Sequence, residues 1–185
     1  MQKIVSIIAL ATAALTTPFL AHANDYYVKG SIGQSHYKDF RVGIPDESAN
    51  GGSLGLGYVI DKNWDAEIGY THFGTVKFNN TDGTISLKNQ TIYAAGIGKL
   101  PITEAFSVFG KAGVAFNYSK GSVDGTADGS SKTNTALLLG AGLSYQFTKE
   151  LAATIDYTYY GKGKVGDNNV EFKLDQVSVG LKYNF

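Results

Sequence analysis

Residues 136–147 read Ala-Leu-Leu-Leu-Gly-Ala-Gly-Leu-Ser-Tyr-Gln-Phe, and the two alternating faces of this stretch differ chiefly in side-chain size. Leu137, Leu139, Ala141, Leu143, Tyr145 and Phe147 share one face, and Ala136, Leu138, Gly140, Gly142, Ser144 and Gln146 the other. Period-2 alternation marks a strand. In a soluble sheet the less apolar face meets water and carries Lys, Glu, Asp and Asn. Here that face is mostly Gly, Ala and Ser, which suits the crowded interior of a narrow closed sheet, so the large residues are expected to face outward into lipid.

The same reading extends over the chain. Leu54, Leu56, Tyr58 and Ile60 alternate with Ser53, Gly55, Gly57 and Val59, and Trp64, Ala66, Ile68 and Tyr70 with Asp65, Glu67, Gly69 and Thr71. Val108, Ala112, Val114, Phe116 and Tyr118 oppose Ser107, Lys111, Gly113 and Asn117. Leu151, Ala153, Ile155, Tyr157 and Tyr159 oppose Ala152, Thr154, Asp156 and Thr158, and Val177, Val179, Leu181, Tyr183 and Phe185 oppose Gln176, Ser178, Gly180, Lys182 and Asn184. Tyr26 to Tyr37 adds a strand. Gln90 to Leu100 adds another, in which Tyr93, Ala95 and Ile97 compete with Ile92, Ala94 and Leu100 for the apolar face. The expectation is an all-β, eight-stranded antiparallel up-and-down transmembrane β-barrel with spans of about 9–11 residues.

Connectors alternate between short and long. Asp61-Lys62-Asn63, Pro101 to Ala105 and Thr148-Lys149-Glu150 read as tight turns; Lys38 to Asn50, Gly74 to Asn89, Ser119 to Asn134 and Gly161 to Val170 read as long loops. Every short turn then lies at one end, periplasmic, and every long loop at the other, extracellular. Aromatic residues gather at both strand ends. Tyr26, Tyr58, Trp64, Phe106, Tyr145, Phe147, Tyr183 and Phe185 form a belt near the turns, and Tyr70, Phe73, Phe116, Tyr118, Tyr157 and Tyr159 a belt near the loops.

Composition agrees. Of the 185 residues, the first 23 read as a cleaved secretory signal: a basic start at Lys3, an apolar run from Ile4 to Leu15, and an Ala21-His22-Ala23 cleavage site. Residues 24–185 remain as one barrel domain. All 23 Gly lie there, a content that disfavours helices. Lys plus Arg equals Asp plus Glu at 16 each, so no basic face is expected to bind nucleic acid. Cys is absent, which removes disulfides and thiolate chemistry.

In Ala66–Tyr70, Gly98–Thr103, Phe109–Gly113, Glu150–Tyr157 and Val177–Phe185 the chain resembles the transmembrane domain of the OmpA family of bacterial outer-membrane proteins. The resemblance implies an outer-membrane location and a last strand in which Leu181, Tyr183 and Phe185 form the signal read by the outer-membrane assembly machinery. It stops at the eighth strand, so no peptidoglycan-binding domain or role is expected. Glu67 matches the acidic member of that family's charged gate, but Thr154 stands where the arginine would be.

Inward charges are costly unless paired. Glu67, Lys111 and Asp156 are therefore expected to form an ionic cluster in the lumen, with Lys29, Asp65 and Lys182 nearer the turns. Catalysis has little support, since His36 is flanked only by Ser35 and Asp39 and His72 lies two strands away. The pattern Gly161-Lys162-Gly163-Lys164-Val165-Gly166 has no helix after it, and Asp124, Asp128 and Asp167 lack calcium-loop spacing. No catalytic residue, cofactor or metal is expected. The expected protein is a monomeric, non-enzymatic barrel with a structural or surface-interaction role, its loops offering contacts to an external surface or host ligand. A narrow pore and a soluble periplasmic ligand-binding barrel are the alternatives.

Overall fold

The computed structural model describes residues 25–39, 47–80, 83–123, 131–165 and 170–185. The expected signal segment, residues 1–23, and the residues Asp124, Asp128 and Asp167 lie outside them. Eight strands follow in order: β1 Tyr26–Asp39, β2 Glu47–Val59, β3 Trp64–Asn80, β4 Gly83–Pro101, β5 Phe106–Val123, β6 Ser131–Gln146, β7 Leu151–Val165 and β8 Val170–Asn184. Each pairs antiparallel with its neighbours in sequence, and β1 with β8, so the sheet is a closed barrel. Closure gives the backbone amides and carbonyls partners on both sides, which a strand crossing hydrocarbon requires. At the seam the Phe185 amide donates to the Tyr26 carbonyl at 3.0 Å.

The outer surface is apolar. Leu54, Leu56, Ile68, Ile92 and Leu137 are each 55–63% exposed, the reverse of a water-soluble core. β4 resolves its two competing alternations: Tyr93, Ala95 and Ile97 are buried in the lumen, while Ile92 and Leu100 face out. The short turns are fixed by side chains. Asp61 Oδ1 accepts from the Asn63 and Trp64 amides at 2.7 and 2.9 Å, and Thr148 Oγ1 from the Glu150 and Leu151 amides at 3.2 and 3.1 Å.

Three expectations are corrected. The strands run 13–19 residues rather than about 10, and the ladder takes in much of each proposed long loop. At about 3.4 Å per residue and a tilt of about 40°, a strand like β4 climbs about 50 Å, twice the roughly 25 Å apolar band, so the barrel wall continues beyond the membrane. Asn79 pairs with Thr84 and Asn80 with Gly83, so polar, turn-forming residue types still take part in the ladder where the apolar alternation has ended. Second, Phe73 is wholly buried inside rather than in the outer belt, because it shares the parity of Thr71 and Glu67. Third, the lumen face, expected to be mostly small residues with sparse charges, also holds large rings: Tyr27, Tyr93, Phe109 and Tyr160 point inward. Lumen glycines make room for these rings, and a Cβ on Gly69 would lie 2.5 Å from the Tyr93 ring.

Two bulges shape the extracellular half. The register shifts between His72 and Thr75 around Gly74 (φ 83°), and between Tyr159 and Lys162 around Gly161 (φ 82°). Side chains rarely adopt this left-handed backbone, and a Cβ on Gly161 would also run into Ala136 Cβ. We expect Gly161→Ala to destabilise the barrel by about 1–3 kcal/mol, read as a lower urea midpoint in lipid vesicles. An unchanged midpoint would show that the bulge relaxes freely.

Candidate functional site

The lumen is stratified. Near the turns, Asp65 on β3 accepts from Lys99 Nζ of β4 at 2.5 Å and Lys182 Nζ of β8 at 3.1 Å. Lys182 Nζ also lies 3.7 Å from the centre of the Tyr27 ring. Strand parity puts all four side chains inside, and the shortness of the turns keeps them within reach of the periplasmic mouth.

The next layer holds the charges singled out from the sequence. Glu67 accepts from Lys111 Nζ at 3.0 Å, from the Tyr93 hydroxyl at 2.9 Å and from the Tyr27 hydroxyl at 2.8 Å. Both members of the Glu67–Lys111 pair are at least 95% buried. Asp156 takes Lys29 Nζ at 2.6 Å and the Thr158 hydroxyl at 3.0 Å. The expected trio is therefore divided between two pairs, and Lys29, expected lower down, reaches up to Asp156. Tyr27, Tyr93 and Lys99 belong to this network and were not anticipated. For Lys99 the signal was the unresolved alternation of β4, since it shares the inward parity of Tyr93.

Above the charges, large apolar side chains fill much of the lumen among buried polar groups such as Thr71, Thr91 and Asn117. Phe73, Tyr93, Ala95, Ala115, Leu138, Tyr160 and Leu174 form one buried cluster, with Phe73 and Tyr160 edge to face at 4.9 Å between ring centres. The Tyr160 hydroxyl bonds Thr71 Oγ1 at 3.1 Å, and Asn117 Nδ2 donates to the Tyr160 carbonyl at 2.9 Å. Five of the eight strands contribute the large side chains Phe73, Tyr93, Leu138, Tyr160 and Leu174, so the layer spans the bore.

The histidine neighbourhood separates by face. Ser35 points inward and accepts from Gln176 Nε2 at 3.2 Å, whereas His36 points outward, with Nδ1 3.7 Å from Asp175 Oδ2. Adjacent residues of a strand cannot share a face, so Ser35 is not placed to work with His36. Leu181, Tyr183 and Phe185 share the outer face of the last strand, and the Tyr183 and Phe185 rings meet edge to face at 5.3 Å.

A family model described as "Outer membrane protein beta-barrel domain" matches residues 7–185. An uncharacterized protein of Haemophilus influenzae is 26% identical over 196 positions, spanning the whole of both chains. Outer membrane protein A of Serratia marcescens is 25% identical over 203 positions; the alignment covers all of this chain and 56% of that protein. The crystal structure of Neisserial surface protein A superposes with a TM-score of 0.69 at 18% identity, covering 86% of this chain and 97% of that one.

Proposed function

Because the chain belongs to the outer membrane protein β-barrel family and so resides in the bacterial outer membrane, we propose that it is a plugged, non-conducting and non-enzymatic barrel with a structural and surface-interaction role. The observation that carries this reading is the apolar layer of Phe73, Leu138, Tyr160 and Leu174, each at most 3% exposed. Ions crossing such a layer would shed most of their hydration, at several kcal/mol each, against hydroxyls and amides already bonded to one another. A narrow pore would need this layer to open, which argues for the closed reading. The soluble periplasmic barrel is set aside by the family membership and by the apolar outer face.

Surface contacts would fall to the connections at the extracellular end of the strands. Leu181, Tyr183 and Phe185 stand as the signal for the assembly machinery, and the barrel, with no strand edge open, works as a monomer.

Planar-bilayer recording tests the plug. The wild type should give no reproducible single-channel steps, while Phe73→Ala combined with Tyr160→Ala should give them. Steady steps from the wild type would overturn the closed reading. For the surface role, cells displaying the protein should bind epithelial monolayers better than cells displaying a version shortened within 40–46 and 124–130; equal binding would remove that role.

A further inference from the structure

Below the plug the lumen opens toward the periplasm as a blind cavity of about 320 Å³, lined by Lys29, Asp65, Glu67, Lys99, Thr154 and Lys182 among others. Two observations about it are independent. The first is charge. Among the described lumen residues four lysines, at 29, 99, 111 and 182, face three carboxylates, at 65, 67 and 156. Glu67 and Asp156 each hold one lysine, and Asp65 is shared by Lys99 and Lys182. One positive charge is left over beside the cavity, inside walls of low dielectric where it acts at greater strength than in water.

The second is an orphan hydroxyl. Thr154 is 7% exposed, lines the same cavity, and its Oγ1 has no hydrogen-bond partner. A buried hydroxyl without a partner is costly, and natural interiors supply one. Thr154 can donate its proton only to an acceptor, and the surplus lysine asks for a negative one. A small oxyanion answers both, and the cavity has room for it and its water.

We propose that this periplasmic vestibule binds a small oxyanion of phosphate size, held by Thr154 Oγ1 and by the lysines at 99 and 182 that share Asp65. The apolar layer above makes the site a dead end, so the anion enters and leaves from the periplasmic side. This goes beyond the closed-barrel reading, and a conducting barrel would not by itself refute it.

The test is a titration of the folded barrel in lipid nanodiscs with inorganic phosphate, at ionic strength held constant with sodium chloride and followed by amide NMR shifts. Saturable shifts at residues 154 and 182 are expected. Lys182→Met should weaken half-saturation by about tenfold, as loss of a charge-assisted hydrogen bond implies. Thr154→Val, nearly isosteric, should weaken it several-fold and keeps the test available should the lysine variant fail to fold. Lys88→Met, an exposed lysine at the opposite end of the barrel, should leave it unchanged. Linear, non-saturating shifts in the wild type would overturn the site, as would equal half-saturation in Thr154→Val.

Discussion

Replacing Glu67 with Ala should cost about 3–5 kcal/mol of barrel stability, the penalty for leaving one member of a buried ion pair without its partner. Lys111 is 5% exposed and points into the lumen, so without Glu67 its ammonium group stays buried with its nearest counter-charge removed. The Tyr27 and Tyr93 hydroxyls lose their acceptor in the same step. Equilibrium unfolding by urea in lipid vesicles measures the loss. The double variant Glu67→Ala with Lys111→Met should regain most of it, because the stranded charge is then gone and Met fills the stem's volume. A cost below about 1 kcal/mol for the single variant would mean that water reaches this layer and that the network is solvated.

A comparable loss is expected from adding one methyl group to β5. A Cβ on Gly113 would strike the Ala94 carbonyl oxygen and lie 2.6 Å from Ala95 Cα, both main-chain atoms of the neighbouring strand. No rotamer change relieves that contact; β4 and β5 must move apart where they are hydrogen-bonded. Gly113→Ala should therefore cost about 3 kcal/mol, the upper end of ordinary overpacking. Three residues away on the same strand, Gly110 faces outward with nothing within 4 Å of an added Cβ. Gly110→Ala should stay within about 0.5 kcal/mol of the wild type, as open surface substitutions do. The same urea titration compares them, and equal midpoints would show that the close approach at Gly113 is not a real constraint.

Both expectations rest on inward positions, where sequence and structure agree unevenly. The barrel itself was legible because lipid-facing strands leave a strong period-2 signal in Leu, Ile and Tyr, and because the glycines opposite them have no place on a water-facing sheet. Glu67, Lys111 and Asp156 were legible as lumen residues for the same reason. What parity could not supply was the partner of each charge, since pairing across a barrel depends on how far each strand is staggered against the next. Lys29 lies on β1 and Asp156 on β7, two strands apart around the barrel, and only the register brings them to 2.6 Å. The plug was hidden differently. Phe73 and Tyr160 were read by residue type, as membrane-belt aromatics or not at all, although counting by twos from Glu67 and Asp156 places both inside. The ends of the strands were misplaced because above the membrane the sheet stops being apolar on one side, and alternation fades while pairing continues.

The hydrogen bond from Phe185 to Tyr26 closes a ring in which the pair made last in sequence joins the strand made first. Every other strand meets its neighbour within a hairpin; β1 alone waits for a partner more than 130 residues downstream. Contact order is therefore concentrated at one seam, and the slow step of folding belongs there. Linking the two ends near residues 26 and 185 and reopening the chain between Lys62 and Asn63 would give a circular permutant with the same eight pairings and the late-closing seam moved to β2 and β3. The kinetics of closure are thus written in where the ribbon is cut, and the finished barrel keeps no record of it.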